Sequence, residues 1–478
     1  MPAAALADAL GAIVGPDFVR TDAASLHTYG MDGLRRGVDP DVVVLPGTTA
    51  EVAAVARYCN ETRTPLVPRG AGTGYSGGAV PVRRGVVLSL ERLNRILEID
   101  EANLIAIVEP NVINGDLQDA VERVGLFYPP DPASLRMSAI GGNVAENAGG
   151  PRAFKYGVTR QYVLGLEAVL PNGEIIHTGG KVVKNVVGYD LTQLLVGSEG
   201  TLAIVTKIIL RLIPKPPAVA TLRAAFPTIE SALDAFARII RARVVPAAIE
   251  IVDSETLQAV ADAQGVALAP DGTGAVLLVE VDGLTEQVRA EADRVEHACA
   301  SGGASEVLRA RSDAEREELW RVRREISPSL RSISHLKLNH DIVVPKSRIP
   351  DLFRFVAGLR TRFGMRMPCF GHVGDGNLHV NVMIPSDDAA TFARAKEAEA
   401  ELFKAVVAME GAITGEHGIG FSKAPYLTLA LEPEAISLMK AVKRAFDPNG
   451  ILNPGKIFPD DVAASTIPPM PRADAWEK

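Results

Sequence analysis

The sequence has little cysteine, no surplus of basic residues and no long apolar run, and each shortage excludes a class of protein. Its 3 cysteines (Cys59, Cys299 and Cys369) are scattered, and none belongs to a CxxC pair. They are too few to ligate a four-cysteine iron–sulfur cluster, and they predict no disulfide framework. The 50 basic residues are outnumbered by 58 acidic ones, so binding to a nucleic-acid backbone is not expected. Any redox chemistry therefore needs a carrier other than cysteine.

The amino-terminal stretch of residues 1–20 has no positively charged leader, and Asp8 interrupts its apolar part. This pattern predicts an alanine-rich amphipathic helix rather than a signal peptide. No run of about 18 apolar residues occurs, so no membrane-spanning helix is expected. Together these points favour a cytoplasmic protein, and docking at a membrane through a partner is left open.

Two regions of different pattern follow one another along the chain. Its 478 residues are enough for two or three domains at roughly 150 residues each. In residues 1–215, strand-like runs such as DVVVLP (41–46) alternate with helical patterns such as TAEVAAVARYCNE (49–61), which is typical of an α+β region with an initial βαβ unit. The stiff PKPP segment (214–217) predicts a domain boundary. After it, helix–strand–strand–helix alternation predicts an open sheet with helices on one face.

The densest glycine cluster is PRGAGTGYSGGAVP (68–81). It matches GxGxxG, but a strand-like run and Pro81 follow where a dinucleotide-binding turn needs a helix. The loop still has the chemistry of a phosphate cradle, because glycines let backbone N–H groups converge on an anion and Arg69, Thr73 and Ser76 add donors. The alternative is a system of tight turns without a ligand.

Two further segments are rich in small residues. Residues 129–156 are dominated by glycine, alanine, serine and asparagine, a composition that lets the backbone approach a flat, bulky group such as an isoalloxazine ring. A long irregular surface loop is the less favoured alternative, because loops of this length are uncommon without a function. The turn VGSEGTL (196–202) is another source of backbone and hydroxyl donors.

Histidines occur in two short glycine-flanked motifs, GHVGDGNLHVNV (371–382) and GEHGIG (415–420). Strand alternation places His379 and Asn381 on one face, and His372 lies on the turn before them. Two histidines and a carboxylate suit Zn²⁺, Mn²⁺ or Fe²⁺, and His417 then suits a general base near neutral pH. A single histidine would more often be structural, but two clusters within mobile glycine backbone favour a site.

These motifs, with PPDPAS (129–134), GGNVAENAGG (141–150) and GSEGTLAIVT (197–206), resemble the FAD-linked D-2-hydroxyacid dehydrogenases. That family, which includes D-lactate dehydrogenase and the glycolate oxidase D subunit, belongs to the vanillyl-alcohol oxidase and p-cresol methylhydroxylase superfamily. The resemblance implies an α+β fold: an FAD-binding domain of the p-cresol methylhydroxylase (PCMH) type (1–217), a substrate or cap domain built on an antiparallel sheet (218–415) and a segment returning to the FAD domain (416–478). FAD is expected to be non-covalent, because the first glycine loop lacks histidine.

The resemblance also implies which residues contact FAD. They lie in the three glycine-rich segments and at one position near the carboxyl end. The residues are Arg69, Gly70, Ala71, Gly72, Thr73, Gly74, Ser76, Gly77, Pro130, Asp131, Ser134, Ser138, Gly142, Asn143, Gly149, Glu199, Gly200, Ile204 and Asn453.

By the same likeness, the metal ligands are His372, His379 and Glu416, and His417 deprotonates the substrate hydroxyl while hydride passes to flavin N5. Three other residues are expected to bind the substrate. They are Arg323 of a W-x-x-R pattern as a carboxylate clamp, Lys337 as a weaker candidate for that role, and Asn381 as a hydrogen-bonding residue.

The expected substrate is a small D-2-hydroxy acid, D-lactate or glycolate before D-2-hydroxyglutarate, which would need an extra cationic contact. Electrons would leave to an external acceptor, namely a quinone, an electron-transfer flavoprotein or an iron–sulfur subunit. The chain is expected to be a homodimer or a subunit of an oxidase complex. Two alternatives stay open: a non-catalytic FAD-binding subunit, and a metal-dependent hydrolase that uses the same histidines and glutamate.

Overall fold

The computed structural model describes residues 3–265, 269–386 and 388–459. They form two compact units. The first contains the described parts of 1–148, 158–215 and 416–478, and the second contains 149–157 and 216–415. The short segment 149–157 therefore belongs to the second unit, although the sequence placed it in the FAD-binding region. No helix of the described chain is both long and apolar enough to cross a membrane.

Helices occur throughout the described residues, and seven of them begin at a polar side-chain cap. Thr48, for example, accepts a hydrogen bond from the N–H of Glu51 at the start of the third helix. The helices are α1 (Ala3–Val14), α2 (Ala23–Tyr29), α3 (Thr49–Thr62), α4 (Asn114–Glu122), α5 (Ile140–Glu146), α6 (Ala153–Tyr156), α7 (Leu191–Leu195), α8 (Ile229–Arg241), α9 (Ser254–Gln264), α10 (Thr285–Ser301), α11 (Asp313–Ser332), α12 (Ile349–Phe363), α13 (Ala389–Ala408), α14 (Leu427–Ala430) and α15 (Pro433–Phe446).

The strands are short in the first unit and longer in the second. They are β1 (Val19–Arg20), β2 (Val42–Val44), β3 (Leu66–Arg69), β4 (Val86–Ser89), β5 (Ile96–Asp100), β6 (Ile105–Val108), β7 (Leu126–Phe127), β8 (Val163–Val169), β9 (Ile175–Gly179), β10 (Ile204–Arg211), β11 (Ile213–Pro214), β12 (Ala218–Phe226), β13 (Ala248–Asp253), β14 (Ala275–Gly283), β15 (Glu306–Arg309), β16 (Leu336–Val343), β17 (Cys369–His372) and β18 (Asn377–Ile384).

The first unit is built on two main sheets. One has the order β1-β2-β4-β3, in which β2 and β3 each pair in parallel with β4. All residues of β2 and β4 are buried, as expected for parallel strands covered on both faces. The path β2–α3–β3 is the βαβ unit that the sequence predicted. The other sheet is antiparallel, with the order β5-β6-β10-β8-β9.

The carboxyl-terminal segment is part of the first unit. Leu66 of β3 pairs with Leu452, and Leu66 exchanges backbone hydrogen bonds with Ile451 and Asn453. The side chain of Asn453 donates from Nδ2 to the carbonyls of Gly78 (2.9 Å) and Glu199 (2.8 Å). These bonds fix the tail to the glycine loop of residues 68–81.

The second unit is built on one antiparallel sheet with the order β15-β12-β14-β13-β17-β18-β16. Successive residues of β13 and β18 are buried, so both faces of the sheet are covered. Helices α9 and α11 pack against the face that carries Val252 and Phe370, while α8 and α10 contact β12 and β14. The two helices on which the one-face prediction rested, α8 and α10, pack against each other and against the same two strands. Helices α9 and α11 are additional to that prediction, and they cover the face of Val252 and Phe370.

The segment 149–157 is tied to the sheet of the second unit by two side chains. Lys155 Nζ donates to the carbonyl oxygen of Asp282 (2.6 Å) and also to its carboxylate. Tyr156 donates from its hydroxyl to Asp282 Oδ2 (2.7 Å). Since Asp282 is buried at the end of β14, these bonds satisfy a carboxylate that would otherwise be costly to bury.

Candidate active site

The glycine loop of the first unit begins where β3 ends, at Arg69. The Arg69 guanidinium donates from Nη1 to the backbone carbonyls of Met31 and Tyr29. Gly72 has a φ of +70°, and a Cβ there would clash with that guanidinium. The loop is therefore folded closely around Arg69, and a role of Arg69 in binding the FAD pyrophosphate stays a prediction.

Buried polar atoms without a hydrogen-bond partner mark a place for a ligand. Among the described residues, they include Ser76 Oγ, Ser138 Oγ and Asn143 Nδ2. An unsatisfied buried group costs about 1–3 kcal/mol, and these three lie in two separate segments that the sequence assigned to FAD. A Cβ on Gly70 would lie 3.6 Å from Gly142 N, while a Cβ on Gly142 would meet nothing within 4 Å. The two segments thus lie side by side with open space and polar atoms, which fits FAD.

Other predicted FAD contacts have a structural explanation that does not involve a ligand. Ile204 is the first residue of β10 and packs in the core of the first unit. The carbonyl of Pro130 accepts hydrogen bonds from Asn114 and Gln118. The contacts of these two residues with FAD stay predictions, as do those of the other positions assigned to FAD: Gly70, Ala71, Gly72, Thr73, Gly74, Gly77, Asp131, Ser134, Gly149 and Gly200.

Glu199 holds the segment that follows His417. Its Oε1 accepts the N–H of Ile419 (2.8 Å), and its Oε2 accepts the N–H of Gly420 (2.6 Å). Burial raises the pKa of Glu199, and the two backbone donors and the charge of Lys456 act in the opposite direction. The sequence predicted a contact with FAD for Glu199, whereas both of its oxygens are used by the backbone of residues 419–420.

A group of carboxylates that the sequence did not reveal surrounds the same segment. A Cβ on Gly418 would clash with Glu146 and lie 3.0 Å from Glu199 Oε1. Burial, followed by the charge of Glu199, raises the pKa of Glu146 well above its usual value. Burial also raises the pKa of Asp32 to about 6 and lowers that of Lys456 to about 7. Burial therefore favours the protonated, neutral forms of Glu146 and Asp32.

His417 lies on the turn between Glu416 and Gly418, and Gly418 has a φ of +78°, where a side chain would be strained. The His417 ring lies against the Tyr75 ring, with 5.2 Å between centroids. Tyr75 belongs to the glycine loop, so His417 and the predicted FAD loop are neighbours within the first unit.

In the second unit, antiparallel pairing brings His372 and His379 together. His379 lies opposite Phe370, and Asn377 lies opposite His372, across the β17–β18 pair. Both histidines are buried, and their ring centroids are 5.4 Å apart at an interplanar angle of 85°. Two imidazoles this close can ligate one divalent ion.

Glu250 joins this pair, and the sequence did not predict it. It lies opposite His372 across the β13–β17 pair, and its Oε1 is 2.5 Å from His372 Nδ1. Its Oε2 accepts from Arg323 Nε at 2.6 Å. Burial acts to raise the pKa of Glu250, but the charge of Arg323 and the interactions with His372 outweigh it and lower the pKa to about 2.

Helix α11 contacts the sheet at three successive turns. Trp320 Nε1 donates to Glu280 Oε2 (2.7 Å), Arg323 donates to Glu250, and Ser327 accepts from Lys337 Nζ (2.7 Å). This spacing explains the W-x-x-R pattern as one face of a helix. The predicted carboxylate clamps are thus already engaged: Arg323 in a buried ion pair and Lys337 with a hydroxyl.

Asp341 fixes the chain immediately before Glu416. It lies opposite His379 across the β16–β18 pair. Its Oδ2 accepts from the N–H of Gly415 (2.9 Å) and from the Thr414 hydroxyl (3.0 Å). Because neighbouring Cα atoms are about 3.8 Å apart, Glu416 starts from a backbone anchored beside the His379 strand.

Asn381 also carries an unsatisfied polar atom on this face. Its Nδ2 donates to the carbonyls of Pro368 (3.3 Å) and His379 (3.2 Å), while its Oδ1 is buried without a partner among the described residues. That atom is an acceptor, so it fits a substrate hydroxyl.

Comparison with known proteins agrees with this architecture. Residues 40–179 match the model of an FAD binding domain, and residues 215–457 match that of the FAD linked oxidases, C-terminal domain. The chain is 45% identical over 428 residues to the glycolate oxidase subunit GlcD of Bacillus subtilis (strain 168), covering 90% of this chain and 91% of that relative. It is 37% identical over 425 residues to the D-lactate dehydrogenase of Anaerostipes hadrus, covering 87% and 89%.

Among solved structures, p-cresol methylhydroxylase with bound substrate resembles this chain at a TM-score of 0.80. The sequences are 21% identical, and the match covers 96% of this chain and 98% of that one. At this identity the likeness concerns the fold alone. It confirms the predicted two-domain FAD-binding α+β fold of the p-cresol methylhydroxylase type.

Proposed function

The chain belongs to the family of FAD-linked D-2-hydroxyacid dehydrogenases, and from that premise we propose that it oxidises a small D-2-hydroxy acid to the 2-oxo acid. As a member of this family it is an FAD-dependent oxidoreductase. D-lactate and glycolate are the favoured substrates, in line with the names of the two relatives. D-2-hydroxyglutarate is the alternative, and it would need a further cation for its second carboxylate.

The observation that carries the proposal is the buried face of β17 and β18. It joins the His372–His379 pair to the unsatisfied Oδ1 of Asn381. We propose that His372, His379 and Glu416 ligate a divalent metal such as Zn²⁺, Mn²⁺ or Fe²⁺. The anchoring of Gly415 by Asp341 supports Glu416 as the third ligand.

Four residues of the chain are proposed to act directly on the substrate. His417 takes the proton of the substrate hydroxyl as a general base, and Asn381 adds a hydrogen bond to the substrate. Arg323 and Lys337 bind the substrate carboxylate, with the Arg323 charge partly balanced by Glu250. When bound, FAD accepts the hydride from the substrate Cα, and the metal polarises the hydroxyl oxygen.

FAD is proposed to be held without a covalent bond, because residues 68–81 contain no histidine. Electrons then leave to an external acceptor: a quinone, an electron-transfer flavoprotein or an iron–sulfur subunit. The three cysteines support this, since all are buried and burial raises the pKa of Cys59 and Cys299 to about 12. Reactive thiols need a depressed pKa. The relative named a glycolate oxidase subunit supports assembly into a complex, with a homodimer as the alternative.

The test is turnover of the purified chain with an artificial dye and a panel of D-lactate, L-lactate, glycolate and D-2-hydroxyglutarate. We expect a flavin spectrum, bleaching by a D-acid or glycolate, and a fall in turnover of about 10²- to 10⁴-fold for His417→Ala at unchanged flavin content. His297→Ala, on the exposed side of α10, is the matched control. A flavin-loaded chain inert towards every acid would support the non-catalytic subunit, and a chain without a flavin spectrum would support the hydrolase.

A further inference from the structure

We propose that Glu250 is a positioning residue for the metal: it fixes the tautomer and the orientation of His372. This inference rests on the proposed metal site, since it concerns how one of the proposed ligands is held. Glu250 itself does not touch the metal, the substrate or FAD in this proposal.

The first argument is the chemistry of the His372–Glu250 contact. Glu250 Oε1 lies 2.5 Å from His372 Nδ1, and an ionised carboxylate can only accept a hydrogen bond. When the imidazole is neutral, its proton is therefore on Nδ1 and its lone pair is on Nε2. A neutral imidazole with a free lone pair is the form that binds a divalent metal.

The second argument is that Glu250 cannot easily turn away. It is fully buried in β13, and its other oxygen accepts from the Arg323 guanidinium at 2.6 Å. Arg323 in turn stacks over the Phe370 ring, 4.8 Å from its centroid. The contacts from Phe370 through Arg323 and Glu250 to His372 thus fix the orientation of the imidazole, as carboxylate partners of metal-bound histidines do.

A neighbouring glutamate shows that a buried carboxylate on this face does not need a histidine. Glu280 lies on the adjacent strand β14, two positions beyond the residue opposite Glu250. It is buried, and its Oε2 is satisfied by Thr221 (2.7 Å) and Trp320 (2.7 Å). Glu280 therefore provides a matched control for removing one buried carboxylate from the same sheet face.

The experiment measures the Zn²⁺ dissociation constant of the metal-stripped, flavin-containing protein by competition with a chromophoric chelator. For Glu250→Gln we expect the constant to rise about 10- to 100-fold, with flavin content and the far-ultraviolet circular dichroism unchanged. Glu280→Gln is expected to bind Zn²⁺ as the wild type does. His372→Ala gives the Zn²⁺ dissociation constant expected when one ligand is lost.

A double variant distinguishes weaker metal binding from misfolding caused by an unpaired buried charge. Glu250→Gln leaves the Arg323 charge buried with a weaker partner, which destabilises a protein. Glu250→Gln with Arg323→Gln removes both charges, and it is expected to show the same rise in the Zn²⁺ dissociation constant. Wild-type affinity in a folded Glu250→Gln protein would overturn the inference alone. A wild type that binds Zn²⁺ no better than His372→Ala would overturn the metal site itself, and this inference with it.

Discussion

Two buried glutamates, Glu199 in the first unit and Glu250 in the second, are held in opposite electrostatic surroundings. Glu199 accepts two backbone N–H groups and has Glu146 as a neighbour, and its pKa is raised. Glu250 is at least as deeply buried, yet its pKa is lowered to about 2. Burial favours the neutral acid in both cases.

The difference between the two lies in what offsets burial. Glu250 has the full positive charge of Arg323 at 2.6 Å, which outweighs desolvation. Glu199 has neutral backbone donors and shares the charges of Lys423 and Lys456 with other carboxylates. One glutamate is thus an anion at neutral pH beside a histidine, and the other is an acid whose protonation depends on its neighbours.

The largest expected effect comes from removing the metal, because its proposed ligand His372 is the residue that Glu250 contacts. A strong chelator is expected to lower turnover by at least about 100-fold, because the metal lowers the cost of developing charge on the substrate hydroxyl. The flavin absorbance should stay, since all residues assigned to FAD except Gly149 are in the first unit, whereas His372 and His379 are in the second. Dye-linked turnover and the visible spectrum, recorded before and after adding Zn²⁺ back, check this. Full turnover of a verified metal-free protein would contradict the ligand set.

A smaller effect is expected from Glu199→Gln. An amide keeps one acceptor but presents N–H to a backbone donor, so one hydrogen bond to residues 419–420 is lost. Turnover should fall by no more than roughly tenfold, the limit reached if the whole loss of about 0.5–1.5 kcal/mol appeared in the activation free energy, because His417 precedes that segment.

The readout for Glu199→Gln is kcat and the Zn²⁺ dissociation constant, measured together. The constant should not change, in contrast to Glu250→Gln. Glu61→Gln, at an exposed position of α3, is the control. If Glu199→Gln weakened Zn²⁺ binding as strongly as Glu250→Gln, the contrast between the two glutamates would not hold.

The smallest effect is on the pH dependence of stability. For Glu199 the pKa is raised in the folded state, so its contribution is complete below the ordinary glutamate pKa of about 4.3 and declines as pH rises through the raised value. For Glu250 the pKa is lowered to about 2, so its contribution is present above about 4.3 and is lost as pH falls towards 2.

Urea unfolding of both glutamine variants between about pH 2.5 and pH 8 checks these signs. Relative to the wild type, Glu199→Gln should gain stability as pH rises from 4, while the deficit of Glu250→Gln should shrink as pH falls below 5. If the stability difference from the wild type varied with pH in the same way for both variants, the electrostatic surroundings of Glu199 and Glu250 would not be opposite.

The sequence predicted those parts of the fold and site that are local in the chain. The strand alternation of residues 377–382 placed His379 and Asn381 on one face, and β18 (Asn377–Ile384) contains them. The βαβ start followed from the valine run of β2 and the helical pattern of α3. Such signals work because the period of side-chain direction is fixed by the backbone.

Partners that are distant in sequence could not be found this way. Glu250 is 122 positions from His372, and Glu199 is 221 positions from Gly420. AIEIVD (248–253) looks like an ordinary apolar strand, and only sheet pairing brings it to β17. One signal was available: a glutamate within a buried strand needs a partner, although nothing local indicates which one.

The ties of Lys155 and Tyr156 to Asp282 have a consequence for dividing the protein. The second unit is assembled from two stretches of chain, 149–157 and 216–415. A recombinant fragment of 216–415 would lack the ammonium and the hydroxyl that satisfy the Asp282 carboxylate. A cap domain exchanged between homologues would need residues 149–157 grafted from the same donor, so the natural exchange module is discontinuous.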